Sequence, residues 1–448
     1  MTEEMNKIKD IKGYQIIDSR GTPTIRVEII LSDGSKGWGD VPSGASTGEY
    51  EAVEIRDELK EYRGKGVLKL VKTIENDIKN ALIGFDITQQ REIDESLMKL
   101  DGTSNKSNIG ANATLPVSIA VARAAARTLR KELYEILYRD KTQESFKGKR
   151  LDTFMLPVPL FNVINGGRHA SHSTDFQEFM LVPSGANSFS ESVRWGVEIY
   201  MELKDLLEEK HLSTNVGDEG GFVPGISSNT KVLDLLVLAI EKAGFKPGKD
   251  CFIAIDVAAS ELLNGSVYNL QNEKKTYTTE GFIDLLENLV NQYPIISIED
   301  GLAENDFDAW EELTKRIGSR VQLVGDDFLT TNTERIKAAV KKNAGNAVLI
   351  KPNQIGTLTE TFEAVKFAKA SGYNVILSHR SGDTEDTTIS DLSVTWEATQ
   401  IKAGAPCRGE RVAKYNRLLL IEKQMEGKVE YWGHSAYSNL LNHTGGML

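Results

Sequence analysis

The sequence predicts an α/β protein built in two parts: an α+β domain over residues 1–145 and a larger barrel domain of repeated strands and helices over residues 146–448. Three observations predict it. The chain opens on β-rich runs and then turns to helical periodicity. Its second half carries five short apolar runs whose ends lie 43, 27, 25 and 28 residues apart, about one strand–helix repeat each. Each of those runs ends on an ionisable residue.

The elements follow in order. Tyr14 to Asp18 and Pro23 to Leu31 are rich in strand formers, and Ser32-Asp33-Gly34 is a tight turn into Lys36 to Val41, which together predict an antiparallel meander. Val67, Leu70, Val71, Ile74, Ile78 and Leu82 form the apolar stripe of an amphipathic helix. Ile109 to Leu137 reads as one further helical run, rich in Ala and Leu, with Pro116 tolerated near its first turn or kinking it. The charged stretch Arg139 to Arg150 is the candidate linker.

Beyond Leu151, Phe252–Ile255 ends in Asp256, Ile295–Ile298 in Glu299, and Val321–Gly325 in Asp326. Ala347–Ile350 ends in Lys351 and Val375–Ser378 in His379. Near-continuous apolar strands are what a parallel sheet covered on both faces requires. The C-terminal strand ends of a barrel are where its chemistry is placed.

Composition narrows the function classes. With 448 residues the chain can bury a large core without disulfide or metal staples. Sixty-five acids against 53 bases give a net charge of −12, so no nucleic-acid partner is expected, for want of a basic footprint. Cys251 and Cys407 are too few for a disulfide framework or a zinc cluster and read as free thiols of a reducing, cytoplasmic compartment. The first ten residues lack the apolar core of a secretory signal. The most apolar helical stretch, Val232 to Ile240, contains Asp234 and is far shorter than the ~20 residues that span a bilayer, so no membrane span is expected.

If the strands close into a barrel, Asp256, Glu299 and Asp326 converge on one rim. Three carboxylates together repel unless a cation neutralises them, and hard oxygen donors suit Mg²⁺. Each acid alone is as readily a helix cap. Lys351 beside such a site reads as a base, because nearby cations favour the neutral amine, and Lys402, one repeat later, supplies that like charge. A salt bridge to the carboxylates and a Schiff-base lysine are the other readings of Lys351.

Several loops add to this. Ser43-Gly44-Ala45-Ser46-Thr47-Gly48 is suited to closing over an anion or metal, but it lacks the Gly-Lys-Ser/Thr of a Walker loop, and Gly37-Trp38-Gly39 likewise fails the dinucleotide pattern. Ser378 to Gly382 offers a fixed cation and hydroxyls for phosphate or carboxylate. Asn215 to Gly221 places the acid pair Asp218-Glu219 in a turn that reads equally as a solvated loop. His169 and His172 lack a third soft ligand for zinc.

From about Ile8 to Glu422 the chain resembles the enolase family. The resemblance is carried by Asp18-Ser19-Arg20-Gly21, the Ser43–Glu49 loop, Phe161–Gly167, Gln177-Glu178-Phe179-Met180 and Asn215–Phe222. It continues through Ser297–Asn305, Lys351–Thr357, Ser378–Asp386 and Gly404–Asn416. It implies a modified (β/α)8 barrel whose second strand runs antiparallel, capped by the N-terminal domain. It implies reversible dehydration of 2-phosphoglycerate to phosphoenolpyruvate, in glycolysis and gluconeogenesis, by a homodimer or an assembly of dimers. Enolase-superfamily sites use a Lys or His base with one or two Mg²⁺.

By the resemblance, Lys351 is the base at C2 and Glu219 the acid that helps the C3 hydroxyl leave. Asp256, Glu299 and Asp326 hold Mg²⁺, and Ser46 helps hold a second ion. His169, Gln177 and Glu178, with His379, Arg380, Ser381 and Lys402, contact or support the substrate. Arg168, Pro352 and Gly409 depart from the residues usual in the family, and none is an implied catalytic group. The tail from about Lys428, with Trp432 and Tyr437, matches nothing in the family pattern, and subunit contacts are one role open to it. Two other readings remain at this point: a related metal-assisted racemase or cycloisomerase, against which the Ser46 loop and the His379-Arg380-Ser381 cluster argue, and a non-catalytic scaffold, which decayed catalytic positions would favour.

Overall fold

The structure is a computed structural model and describes residues 6–44, 48–137, 153–170 and 173–441. The candidate linker Arg139–Arg150, Ser46 and His172 lie outside the described residues.

The N-terminal strands Ile8–Ile17, Pro23–Leu31 and Lys36–Asp40 form the expected antiparallel meander. Helix Ala111–Leu129 lies across it, buried on nearly every side because the barrel covers its other face. Glycine makes that approach possible. A Cβ on Gly37 would stand 2.3 Å from the backbone of both Ala120 and Ala124. The Gly37-Trp38-Gly39 pattern is therefore a packing device, with Trp38 held between the guanidinium groups of Arg26 and Arg123 at 4.3 and 4.2 Å. Gly37→Ala should push helix and sheet apart and destabilise the chain by about 1–3 kcal/mol; an unchanged urea midpoint would show that the contact yields.

The expected stripe at residues 67–82 forms one rod of helix, with Leu70, Ile74, Ile78 and Leu82 buried. Apolar side chains at strict four-residue intervals drift against a 3.6-residue period, and a π turn at Ile74–Ile78 absorbs the difference. The single run expected from Ile109 to Leu137 is corrected. It breaks at Arg130, whose left-handed backbone (φ 52°) ends the helix, and a short helix Leu133–Leu137 follows. Pro116 sits inside the helix without ending it.

Eight strands close the barrel in the order Val158–Asn165, Glu178–Val182, Phe252–Asp256, Ile295–Glu299, Gln322–Gly325, Ala347–Ile350, Asn374–Ser378 and Gln400–Lys402. The second strand is antiparallel to both neighbours, and all other pairings are parallel. That reversal puts the first residue of strand two, Glu178, opposite Asp256, the last residue of strand three. Both acids thus reach the same rim. Side chains of Ser188, Ser228, Thr278, Asp306, Asn332 and Thr357 cap the starts of six barrel helices, each contributing about 1 kcal/mol.

The C-terminal tail corrects the expectation of subunit contacts for Tyr437. Ala436, Tyr437 and Leu440 pack with Val158, Val182 and Phe252 inside the barrel, and Asn374 donates to the Ala436 carbonyl at 3.0 Å. The tail stoppers the end of the barrel opposite the acidic rim. Among the described residues, no helix is long and apolar enough to cross a membrane.

Candidate active site

Loops at the C-terminal rim and Gly44 of the N-terminal domain enclose a cleft with about 520 Å³ of empty space. Strand pairing sets Glu299 beside Asp256, and Asp326 follows immediately after Gly325 on the next strand. Lys402 ends strand eight and reaches across to these acids. Its Nζ lies 2.8 Å from both oxygens of Glu299, 3.0 Å from Glu178 and 3.6 Å from Asp256. Burial pulls the Lys402 amine down, but Glu178, Glu299 and Asp256 together raise it well above the ordinary lysine range. Burial, reinforced by neighbouring acids, raises Glu299 and Glu178 well above the usual carboxylate range.

Lys351 directly follows strand six and forms a half-buried ion pair with Asp326, as one of the sequence readings allowed. Burial, Arg380 and Lys402 all push its amine toward the neutral form, yet Asp326 holds it above the ordinary value. The like charge expected of Lys402 is present and does not prevail while that pair is closed. Gln354 donates to Asp326 at 3.0 Å, and Gln177 to Asp256 at 3.1 Å.

Glu219 occupies a different part of the lining. The acid pair in its turn is split: Asp218 is exposed and Glu219 is 2% exposed. A Cβ on Gly221 would meet the Asn165 side chain at 2.6 Å, so the turn must lie flat on strand one. Asn162 and Ser381 donate to Glu219 at 3.0 and 2.8 Å. Burial would raise its carboxyl, and His379, His169 and Arg411 together hold it well below the usual range.

The Arg411 guanidinium donates to Nδ1 of His379 at 2.6 Å, so the ring proton sits on Nε2, 3.2 Å from Glu219. Burial lowers His379 to about 4, leaving a neutral imidazole, and the fixed positive charge near Glu219 belongs to Arg411. His169 approaches Glu178 at 3.4 Å and Ser381 at 3.3 Å. Arg380 forks onto Glu51 of the N-terminal domain at 2.9 and 3.2 Å.

The two domain types of one family account for this architecture. A family model described as the enolase C-terminal TIM barrel domain matches residues 153–440, and one described as the enolase N-terminal domain matches residues 8–137. The chain belongs to the enolase family. Within that family it is read as a lyase or a related superfamily enzyme acting on a small molecule.

Among the described residues of this enolase-family chain, two groups offer three metal-ligand atoms within 4.8 Å of one another: His169, Glu178 and Glu219, and Asp300, Asp326 and Asp327. The donor chemistry fits a hard cation, because the rim concentrates carboxylate oxygens whose mutual repulsion and burial already push Glu299, Asp300 and Asp327 upward, the last to about 7.

Twelve of the thirteen sequence-proposed site residues are described, and each lies in or against the cleft; the thirteenth is Ser46. Sequence reasoning missed Asp300 and Asp327, although both directly follow a strand-end acid, and it missed Glu51, Asn162, Gln354 and Arg411. Of the departures, Arg168 pairs with Glu261 at the mouth, Pro352 opens a 3-10 turn and Gly409 starts the last barrel helix.

Proposed function

We propose that this chain carries out Mg²⁺-dependent, reversible dehydration of 2-phosphoglycerate to phosphoenolpyruvate, as a cytoplasmic homodimer or assembly of dimers acting in glycolysis and gluconeogenesis. The observation that carries the reading is one cleft lined by a strand-end amine, Lys351, paired with Asp326, and by a buried acid, Glu219, with Asp256 and Lys402 in the same lining. Asp256, Glu299 and Asp326 would hold Mg²⁺, with Ser46 serving a second ion. When bound, the ion stabilises negative charge developing on the substrate carboxylate.

In the dehydrating direction Lys351 Nζ takes the C2 proton, a double bond forms between C2 and C3, and Glu219 gives a proton to the departing C3 hydroxyl, which leaves as water. Lys402 adds fixed positive charge where the substrate carboxylate gains electron density. Arg380 and Ser381 bind the phosphate, while His169, Gln177, Glu178 and His379 orient the remainder and fix Glu219.

The protonation states described above, an ammonium at Lys351 and a carboxylate at Glu219, are those needed for the reverse hydration. Dehydration needs both reversed, and anything that engages Asp326 loosens the hold on the Lys351 proton.

A coupled assay should show phosphoenolpyruvate formation with Mg²⁺ and none after treatment with a chelator. Turnover that persists without divalent metal rejects the reading. Glu219→Gln should retain exchange of the C2 proton with solvent while losing dehydration by about 10²–10⁴-fold. Equal loss of both would place Glu219 elsewhere in the reaction.

A further inference from the structure

The segment after Gly48 crosses from the N-terminal domain onto three rim loops and one helix of the barrel. Glu49 accepts from Asn305 at 3.1 Å, the Tyr50 ring lies 4.0 Å from the Arg335 guanidinium carbon, and the Ala52 amide donates to the Gln354 carbonyl at 2.8 Å. Between them Glu51 is almost wholly buried, its side chain 5% exposed.

Both of its oxygens accept from Arg380, and one serves two further donors. Oε2 accepts from Arg380 Nη1 at 2.9 Å. Oε1 accepts from Arg380 Nη2 at 3.2 Å, from Gln354 Nε2 at 3.2 Å and from the Gly48 amide at 3.1 Å. The same Gln354 Nε2 donates to Asp326 at 3.0 Å, and its carbonyl oxygen is fixed by the Thr331 hydroxyl at 2.7 Å. After Glu51, Asp326 exerts the strongest attraction on the Arg380 guanidinium.

We infer that Glu51 is a positioning residue that holds Arg380 away from Asp326, so that a divalent cation meets no guanidinium at that carboxylate and the guanidinium stays turned to the substrate anion. The inference rests on the reading above for the roles of Asp326 and Arg380. The physical reason is competition. A buried guanidinium needs a carboxylate partner in a bidentate fork, and with Glu51 neutral the acid that draws it most strongly is Asp326, which Gln354 already ties to Glu51. Arg380 would then occupy oxygen atoms that a cation needs. The N-terminal domain thus supplies the counter-charge that sorts cations at the barrel rim.

The test is calorimetric titration of Mg²⁺ into substrate-free protein, alongside steady-state kinetics with 2-phosphoglycerate. Glu51→Gln should weaken Mg²⁺ binding and raise KM each by on the order of 10-fold, with kcat at saturating Mg²⁺ within about 3-fold of the parent. Adding Arg380→Ala to Glu51→Gln should restore Mg²⁺ affinity to the parent level, because the intruding guanidinium is gone; a merely structural defect would not be rescued. If Glu51→Gln does not fold, Glu51→Asp takes its place, with an expected weakening of about 3-fold and the same rescue. Unchanged Mg²⁺ affinity in a folded Glu51 variant, or no rescue by Arg380→Ala, overturns the inference. A parent protein that binds Mg²⁺ but leaves 2-phosphoglycerate untouched overturns the proposed reaction instead, and the calorimetry still decides the role of Glu51.

Discussion

Lys351→Ala will abolish exchange of the substrate C2 proton with solvent deuterium, lowering it by on the order of 10⁴-fold, the upper range for removing a positioned base. The amine stands at the end of a barrel strand, half-buried, with Asp326 on one side and the positive charges of Arg380 and Lys402 acting on it from others. Among the described residues lining the cleft, the other lysine is Lys402, and it is engaged by three carboxylates. Mg²⁺ binding should survive the substitution or tighten, since Asp326 loses a competing ammonium. That pairing of outcomes separates lost chemistry from a lost site. Normal exchange in a folded Lys351→Ala protein would remove Lys351 from the reaction and with it the proposed direction of attack.

Lys402→Met is expected to have the largest effect on stability. It leaves Glu299, Glu178 and Asp256 buried around an apolar chain end, and removing one partner from a buried ionic cluster costs about 3–5 kcal/mol. The sign of its pH dependence follows from the direction of the shifts. Burial and like-charge neighbours already raise Glu299 and Glu178, and loss of the ammonium raises them further. An acid whose folded pKa lies above its unfolded one binds protons more tightly when folded, so its cost grows as pH rises through that interval. The deficit of Lys402→Met should therefore be greatest at and above neutral pH and shrink as pH falls toward the ordinary carboxylate range. Millimolar Mg²⁺ should recover part of it, because a cation that binds only the folded chain stabilises it by mass action. Urea midpoints at three pH values, with and without Mg²⁺, check all of this. A midpoint equal to the parent at neutral pH would mean that the three acids are not ionised around Lys402.

Much of the fold was written locally. The strands Phe252–Asp256, Ile295–Glu299 and Ala347–Ile350 were legible to the residue, because a strand buried on both faces must be apolar throughout and must stop where a charge begins. The strand Val158–Asn165, the antiparallel strand Glu178–Val182 and the short Gln400–Lys402 did not stand out from spacing. The long excursion between the second and third strands breaks the repeat length, and a three-residue strand has no periodicity to read.

The rim acids and the two lysines were legible because strand ends mark a barrel's reactive face. Glu51, Arg411 and Asn162 were not. Each comes from a loop, a helix or a strand interior whose local pattern is ordinary, and each matters through a partner 31 to 329 residues away.

By itself the sequence determined the N-terminal meander, five of the eight barrel strands, where those apolar runs end, and which ionisable groups stand at those ends, since burial and periodicity act over a few residues. Tertiary structure alone decided which charge neutralises which: that Asp326 keeps Lys351 protonated, that Arg411 fixes the tautomer of His379, and that Tyr437 closes the barrel's far end. Coulomb energy and exclusion of water depend on distance through space, and chain order does not encode that distance.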